Sequence, residues 1–242
     1  MKWFGGRVTV EDSVASSRKV TGRDLRKDYF REMTRLTFGL LRQRGSALTL
    51  GPLEIIRFGP PKTAKTAVEL PIESGLAVGA PGGHLRIAAA KGRITASVEG
   101  YRPRLPLPVY MLIQLPIHHT VLRLYLLRQR GRLPTPGVPA PPTRRAAAAA
   151  IDAGVCVAAA LVAGKGRRLP TLVAIAAGYH IACWSTSGRT IGGALTKQRV
   201  VAGDGSRVSV GQAVIRLLAL PFAVVRMRAL HDEIAGTEVV AE

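Results

Sequence analysis

The sequence contains few aromatic residues, few acidic residues and almost no cysteine. Aromatic side chains make up 5% of the 242 residues, and 15 Asp and Glu stand against 35 Lys and Arg. The two cysteines, Cys156 and Cys183, both lie inside apolar runs, where a cysteine usually acts as a small buried residue. The sequence therefore predicts neither a disulfide framework nor a redox pair.

Short motifs of the common enzyme classes are also absent from the sequence. It has no nucleotide-binding glycine loop, zinc-ligand spacing, serine-hydrolase elbow or kinase signature. The stretch from Gly188 to Gly193 lacks the Lys and the Ser or Thr that end a phosphate-binding loop. His118 and His119 are adjacent, so on a helix they point about 100° apart and do not easily share one metal ion. We therefore predict no enzyme activity, no cofactor and no metal site.

The charge of the chain is strongly positive and unevenly distributed. The net charge is +20, and residues 1–143 carry 23 Lys and Arg against 9 Asp and Glu. Two partners attract such a basic surface, namely anionic lipid at the cytoplasmic face of a membrane and nucleic acid. The sequence has no helix-turn-helix, zinc-finger or RNA-binding signature. The charge therefore predicts anionic lipid, and not nucleic acid, as the partner.

The N-terminal region has no apolar stretch that resembles the core of a signal peptide. We therefore expect residues 1–143 to stay in the cytoplasm. Residues 1–20 are polar and predicted to be flexible, and residues 21–132 are predicted to form a basic cytoplasmic α+β domain. Residues 133–143 contain five prolines, which exclude helix and sheet interiors and predict a stiff linker.

The basic domain is predicted to be an antiparallel sheet with flanking helices. Apolar residues recur every three or four positions in a helix predicted from Thr21 to Arg42, which either lies on lipid or covers a small core. A longer helix is predicted from Leu107 to Arg130, with a kink at Pro116. The sheet would enclose either a lipid-sized ligand or its own side chains. Turn residues separate the four predicted strands, Leu48–Phe58, Ala67–Val78, His84–Ala90 and Arg93–Glu99.

Three apolar stretches follow the linker and predict an all-α membrane domain over residues 144–242. Ala146–Gly164 would reach about 30 Å as a helix, which matches the hydrocarbon core of a bilayer. Leu169–Trp184 is a shorter run, and both are predicted to be transmembrane helices. Val208–Met227 carries Arg216 near its middle, and a charge there is costly in a bilayer. This third stretch is predicted to be an interfacial, a re-entrant or a short spanning helix.

Two ionisable residues of these apolar stretches form a candidate polar pair. Asp152 lies near the start of the first predicted helix, and His180 lies near the end of the second. Antiparallel packing would bring them to the same depth, where they would either relay a proton or hold the helices together. Arg145 and Arg216 are the alternative partners for Asp152, because a carboxylate inside a bilayer needs one.

Residues 144–242 contain a set of short motifs with a recognisable order. An Arg and an Ile-Asp come first, as Arg145 and Ile151-Asp152, and a Gly-x-Thr-x-Gly stretch follows from Gly188. The most specific part is the closing pattern from His231 to Val240. This pattern resembles the RDD family of small bacterial membrane modules, in which a Lys stands at the position of Gly193. The resemblance is carried by Arg145, Asp152, Gly188, Thr190, Gly192, Arg199, Arg216, His231, Asp232, Gly236 and Thr237.

The resemblance implies a multi-pass protein of the bacterial inner membrane. Family members have been linked to transport or ion exchange, and others to accessory roles beside transporters. The family's Lys at the position of Gly193, and its Gly two residues before Arg199, are lost here, which weakens any carry-over from the members linked to transport. We therefore expect an accessory or scaffold protein that binds lipid and either a partner membrane protein or a second copy of itself. The alternative is a small oligomeric transporter or proton-coupled ion exchanger.

Overall fold

The fold consists of two units of different architecture. The computed structural model describes residues 2–131, 133–163, 168–226 and 230–242. The chain divides into the compact units Met1–Leu133 and Pro134–Glu242. The first is built on an antiparallel sheet and the second is mainly helical, which confirms the predicted α+β class.

The N-terminal unit contains a ten-stranded antiparallel sheet and two helices that contact it. Its strands are β1 (Lys2–Phe4), β2 (Arg7–Ala15), β3 (Leu41–Arg44), β4 (Ala47–Leu50), β5 (Leu53–Phe58), β6 (Lys62–Thr63), β7 (Ala67–Ser74), β8 (Val78–Ala80), β9 (Gly83–Ala90) and β10 (Arg93–Pro103). Their order across the sheet is β1-β2-β10-β9-β7-β5-β4-β3, with β6 beside β7 and β8 beside β10. The helices are α1 (Gly22–Leu36), α2 (Leu107–Val109) and α3 (Leu115–Arg128), of which α1 and α3 contact each other and the sheet.

Strand β2 shows that the prediction of a flexible N-terminus over residues 1–20 is wrong. This strand lies between β1 and β10 and pairs with both. Val8 and Val14 are buried in the core. Asp12 interrupts the apolar alternation, which gives the stretch its polar appearance. Its carboxylate is neutralised by Arg123 of α3 at 3.1 Å.

Helix α1 is shorter than predicted at its C-terminal end. It begins after Thr21, whose hydroxyl accepts the N–H of Asp24 at 3.2 Å in a capping box. It stops before Phe38 and Gly39, which adopt positive φ angles of 52° and 80°. A helix cannot continue through such residues, so the prediction of a helix up to Arg42 is wrong, and β3 follows instead.

The apolar side of α1 is part of the core of the N-terminal unit. Leu25, Tyr29 and Met33 are buried, so this face of the helix is not free to lie on lipid. The Tyr29 ring packs edge-on against Phe58 and Tyr125, with centroids 6.3 and 5.7 Å apart. The cavity that remains beside them measures about 60 Å³. Ligand pockets usually measure about 300–1,000 Å³, so the sheet closes over its own side chains.

Glycines divide two of the predicted strands. Leu48–Phe58 forms two strands because Gly51 turns the chain with φ at +58°. Ala67–Val78 is divided at Gly75, where φ is +132° and a Cβ would lie 2.3 Å from the carbonyl oxygen of Ile55. Only glycine fits that backbone at such close approach.

The long helix of this unit contains a π-helical turn over Tyr110–Gln114, between α2 and α3. The N–H of Leu115 donates to the carbonyl of Tyr110, five residues back. Pro116 follows at once and has no N–H to donate. The wider turn satisfies the backbone just before the proline, and the helix runs on to Arg128.

The C-terminal unit consists of helices on a two-stranded base. Its elements are α4 (Pro142–Ala163), α5 (Arg168–Thr186), α6 (Ile191–Leu195), β11 (Gln198–Ala202), α7 (Val210–Arg226), α8 (Leu230–Ala235) and β12 (Thr237–Ala241). Strands β11 and β12 pair antiparallel. The three predicted apolar helices correspond to α4, α5 and α7. Gly164 and Met227, the predicted ends of two of them, lie outside the described residues.

The stiff linker predicted over residues 133–143 contains the boundary between the two units, but residues 138–140 bond to β12 as part of the C-terminal unit. The N–H of Ala140 donates to the carbonyl of Val239 at 2.9 Å, and a second backbone bond follows nearby. Ala140 supplies an N–H that the neighbouring prolines lack. Pro142 is the first residue of α4, a position at which a helix needs no N–H.

The helices form two pairs, α4 with α5 and α7 with α8, and the chain returns to the two-stranded base at the end of each pair. Helix α4 packs on α5, and the carbonyl of Gly188, after α5, accepts the N–H of Val200 in β11 at 2.8 Å. Helix α7 packs on α8, and the side-chain amide of Gln212 donates to the carbonyl of Ala235 at 3.0 Å. The start of α7 therefore lies beside the end of α8.

Helix α4 has the length and composition of a membrane-spanning helix. Among the described residues it is the single helix that is both long and apolar enough to cross a bilayer. The C-terminal half of α4 exposes three large apolar side chains, Val157, Leu161 and Val162. Exposed apolar side chains of this kind are typical of a lipid-facing helix. Helix α5 does not meet both criteria, so a second transmembrane helix stays a prediction.

Candidate functional site

A buried ion pair joins α7 to α8 at the base of the C-terminal unit. The guanidinium of Arg216, which is almost fully buried, pairs with the carboxylate of Asp232. It also donates to the hydroxyl of Thr237 at 2.7 Å, and this hydroxyl donates to Asp232 at 3.1 Å. Arg145 of α4 pairs with the same carboxylate. One acidic residue therefore connects three helices and the first residue of β12.

Two rings complete the surroundings of Arg216. Its guanidinium lies 4.9 Å from the ring centre of Trp184, and one nitrogen lies 3.3 Å from Nε2 of His231. Burial, with the nearby charges of Arg216 and Arg145, lowers the pKa of His231 to about 3. This imidazole is therefore neutral at pH 7 and accepts a hydrogen bond from the arginine.

Asp152 is buried in α4 and holds the start of α6. Its carboxylate accepts the hydroxyl of Tyr179 at 2.7 Å and the N–H of Gly192 at 2.8 Å. The same tyrosine oxygen accepts the N–H of Ile191 at 2.7 Å. Asp152 and Tyr179 therefore bind two N–H groups that would otherwise be orphaned at a helix N-terminus.

The predicted pairing of Asp152 with His180, Arg145 or Arg216 is wrong for the described residues. His180 bonds through Nδ1 to the carbonyl of Ala176 in its own helix at 2.8 Å. Both arginines are directed to Asp232 instead. The carboxylate of Asp152 needs no cation, because the hydroxyl of Tyr179 and the N–H of Gly192 at the start of α6 both donate to it.

Backbone geometry explains the glycines and the threonine of the stretch 188–193. Gly188 has φ at +73°, and a Cβ there would lie 2.4 Å from the carbonyl oxygen of Val200. Thr190 caps α6 by accepting the N–H of Gly193 at 3.0 Å. A Cβ on Gly192 would lie 2.2 Å from the carbonyl oxygen of Ala148. The stretch therefore packs α6 closely against α4.

The remaining predicted residues lie at the outer side of the base. Arg199 is half-exposed, with Nε 3.4 Å from the carboxylate of Glu242. Arg189 binds the same carboxylate at 2.6 Å. Gly236 has φ at +60°, and its carbonyl accepts the N–H of Gly203 at 2.9 Å. These contacts close the ends of the strand pair.

Sequence reasoning missed three residues of this cluster, Tyr179, Trp184 and Gln212. Tyr179 carries the hydroxyl between Asp152 and α6, and its polar group inside an apolar run was the available signal. Gln212 lies one turn before Arg216, on the same face of α7. For Trp184 no sequence signal indicated that its ring would cover a buried arginine.

A cavity of about 300 Å³ lies among these groups, bordered by Asp152, His180 and Arg216. Within the described part of the chain, three buried polar atoms beside it have no hydrogen-bond partner. They are Nε of Arg216, Nδ1 of His231 and Oε1 of Gln198. The described residues contain no group of three His, Cys, Asp or Glu that would hold a metal ion. The cavity has the size and polarity for water or a small polar solute.

These observations define a small helical module with one long apolar helix and a polar base. Residues 169–230 match the model of the RDD family, so the C-terminal unit carries an RDD domain, as the sequence predicted. The RDD family is membrane-associated, and α4 has the character of a membrane helix. Neither the curated proteins nor the solved structures contain a match to this chain. Arg145, Asp152 and the closing residues from His231 lie outside the matched range, and the contacts above join them to it.

Two replacements of Asp152, by asparagine and by alanine, show whether its hydrogen bonds or its negative charge stabilise the protein. Asp152→Asn keeps an oxygen that accepts from Tyr179 and Gly192, so we expect nearly wild-type thermal stability in detergent. Asp152→Ala leaves both donors unpaired, and an unsatisfied buried donor costs about 1–3 kcal/mol. We therefore expect a clear fall in the melting temperature for alanine only. If asparagine proves as harmful as alanine, the negative charge of Asp152 matters and a cation must pair with it.

Proposed function

We propose that the protein is a multi-pass protein of the bacterial inner membrane that acts as an accessory or scaffold component. In this role, the RDD domain anchors the chain and holds the basic N-terminal unit at the cytoplasmic face. The protein would bind anionic lipid and a partner membrane protein. The observation that carries this proposal is that Asp232 is paired with both Arg145 and Arg216, while Asp152 accepts hydrogen bonds from Tyr179 and from a backbone N–H.

The polar contacts of Asp232 and Asp152 connect the helices of the domain to one another. Asp232 is shared by Arg145 and Arg216, and Asp152 is occupied by Tyr179 and a backbone N–H. A proton relay needs titratable groups in a connected chain. Among the described residues, no hydrogen bond joins His180 to an acidic side chain. Polar contacts of this kind hold membrane helices together.

The proposed topology has two spanning helices, α4 and α5, and a re-entrant pair, α7 and α8. The return of α8 to the start of α7 and the pairing of β11 with β12 support a re-entrant pair with both strands of the base on one side of the membrane. Six Lys and Arg of the sequence lie near the base, and three lie at positions 165–168, up to the first residue of α5. The positive-inside rule therefore supports a cytoplasmic base. The six are Arg144, Arg145, Arg189, Lys197, Arg199 and Arg207, and the three are Lys165, Arg167 and Arg168.

A second candidate function is that of a small oligomeric transporter or proton-coupled ion exchanger. The cavity of about 300 Å³ favours it, because Asp152, His180 and unpartnered polar atoms border that space. A transport path through so few helices would need further copies of the chain. This requirement makes the scaffold role the first choice.

One pair of measurements distinguishes the two functions. We expect the tagged full-length protein, extracted from its native membrane in mild detergent, to retain a larger membrane protein at a fixed ratio. We expect the purified protein in vesicles to give no proton flux when an ion gradient is imposed, as read by an internal pH dye. Flux that is present in the wild type and absent in His180→Ala would establish the exchanger and reject the scaffold role.

A further inference from the structure

The N-terminal unit exposes a contiguous apolar segment. Seven large apolar side chains between residues 105 and 117 are at least one-third exposed, which we call the 105–117 patch. They are Leu105, Leu107, Val109, Met111, Leu112, Ile113 and Ile117. Single exposed apolar residues need no explanation, but a cluster of this density on one helical segment marks a contact surface.

The first strand of the sheet lies next to this segment. Trp3 of β1 contacts Tyr110, with ring centroids 6.2 Å apart, and Tyr110 is buried. Phe4 follows Trp3 and is almost fully exposed. The helical segment is therefore anchored through Tyr110, and the side chains around it remain free. Phe4 adds a further apolar group to the same edge of the sheet.

The charged residues that flank the 105–117 patch in the sequence are of one sign. The sequence contains no Asp or Glu between Glu99 and Asp152. Arg102 and Arg104 directly precede the segment, and Arg104 donates to the backbone carbonyls of Val78 and Gly75 at 3.3 and 3.4 Å. Within the described residues, neither arginine forms an ion pair with a carboxylate. An apolar surface with a basic rim matches an anionic bilayer, where lipid phosphates meet hydrocarbon.

We propose that the 105–117 patch inserts into the headgroup region of an anionic bilayer and holds the N-terminal unit on the membrane surface. This inference rests on the proposed function, because α4 would anchor the same chain in that membrane. Tethering makes the second contact intramolecular, so a modest apolar surface is enough for stable docking. The helix predicted at Thr21–Arg42 does not provide this contact, since its apolar face is buried.

The far edge of the sheet offers a matched control. Leu53 in β5 is 51% exposed and Ile113 is 55% exposed. The sheet order places β5 away from β1. A surface selected by exposure alone would include both residues. Docking through the 105–117 patch buries only Ile113.

The test measures the surroundings of each residue in the full-length protein. A nitroxide is attached to Ile113→Cys or Leu53→Cys in a background of Cys156→Ala and Cys183→Ala. The protein is placed in vesicles of phosphatidylcholine with phosphatidylglycerol, and collisions with oxygen and with a water-soluble nickel chelate are recorded. We expect several-fold lower nickel access at position 113 than at position 53, together with higher oxygen access. In vesicles of phosphatidylcholine alone, or after Arg102→Gln, this contrast should shrink.

Each other outcome has a definite meaning. A protein that does not float with the vesicles overturns the membrane anchoring, and this inference with it. A floating protein with equal nickel access at both positions overturns the bilayer contact of the patch alone. Exclusion of both reagents from position 113, also in detergent, means that a protein surface covers the patch, which overturns the proposal in favour of a second copy or a partner.

Discussion

Replacement of Asp232 by asparagine is expected to destabilise the C-terminal unit more than any other single change of charge. The variant leaves Arg216 buried with no carboxylate and removes the partner of Arg145. Breaking a buried ion pair in this way costs about 3–5 kcal/mol, because the desolvated charge remains. We expect a strong loss of protein from the membrane fraction and a much lower melting temperature in detergent.

Two controls show whether the loss comes from the stranded cation. Glu233→Gln changes the neighbouring acidic residue, which is exposed, and should leave the melting temperature unchanged. Asp232→Asn combined with Arg216→Met removes the buried charge as well and should recover part of the stability. If the double variant is no more stable than Asp232→Asn alone, the stranded guanidinium is not the cause.

Replacement of Gly192 by alanine is expected to have a similarly large effect through packing alone. The added Cβ would lie 2.2 Å from the carbonyl oxygen of Ala148 and 2.9 Å from the carboxyl carbon of Asp152. The first contact is with helix backbone, which cannot swing aside as a side chain can. Overpacking costs about 1–3 kcal/mol and occasionally more, and we expect the upper end for this variant. The measurement is again the melting temperature in detergent.

Gly154→Ala is the control for this prediction. Gly154 also lies in α4, and its Cβ would meet no atom within 4 Å. Alanine is favoured over glycine inside a helix by about 0.5–1 kcal/mol, so this variant should keep or raise the melting temperature. Equal losses for Gly154→Ala and Gly192→Ala would mean that glycine is needed for a reason other than the contact between α4 and α6.

The predictions for Asp232 and Gly192 both test how α4 is held against the other helices of the C-terminal unit. Asp232 joins α7 and α8 to α4 by charge, and Gly192 joins α6 to α4 by close approach. A scaffold needs both contacts permanently closed, whereas an exchanger would have to open at least one of them during its cycle. Destabilisation of the resting protein by both variants is therefore expected from the scaffold role.

Local chemistry in the sequence was enough to predict several features of this protein. The apolar runs predicted the helices that became α4, α5 and α7, because a helix of this kind needs only a long uncharged segment. The residues of the RDD pattern identified the family. The alternation of apolar and polar residues with turn residues between them predicted the antiparallel sheet. Each of these features depends on residues that are close together in the chain.

Tertiary structure decided what covers each of those elements. Periodicity shows which residues share one face of a helix, but not whether sheet, lipid or another helix lies against it. The apolar face of α1 is therefore buried in the core, and the exposed apolar surface lies at the 105–117 patch instead. The same reason explains Asp152. Its position in a predicted membrane helix predicted a partner, but only the folding of α6 against α4 placed the N–H of Gly192 within reach, 40 residues away in the sequence.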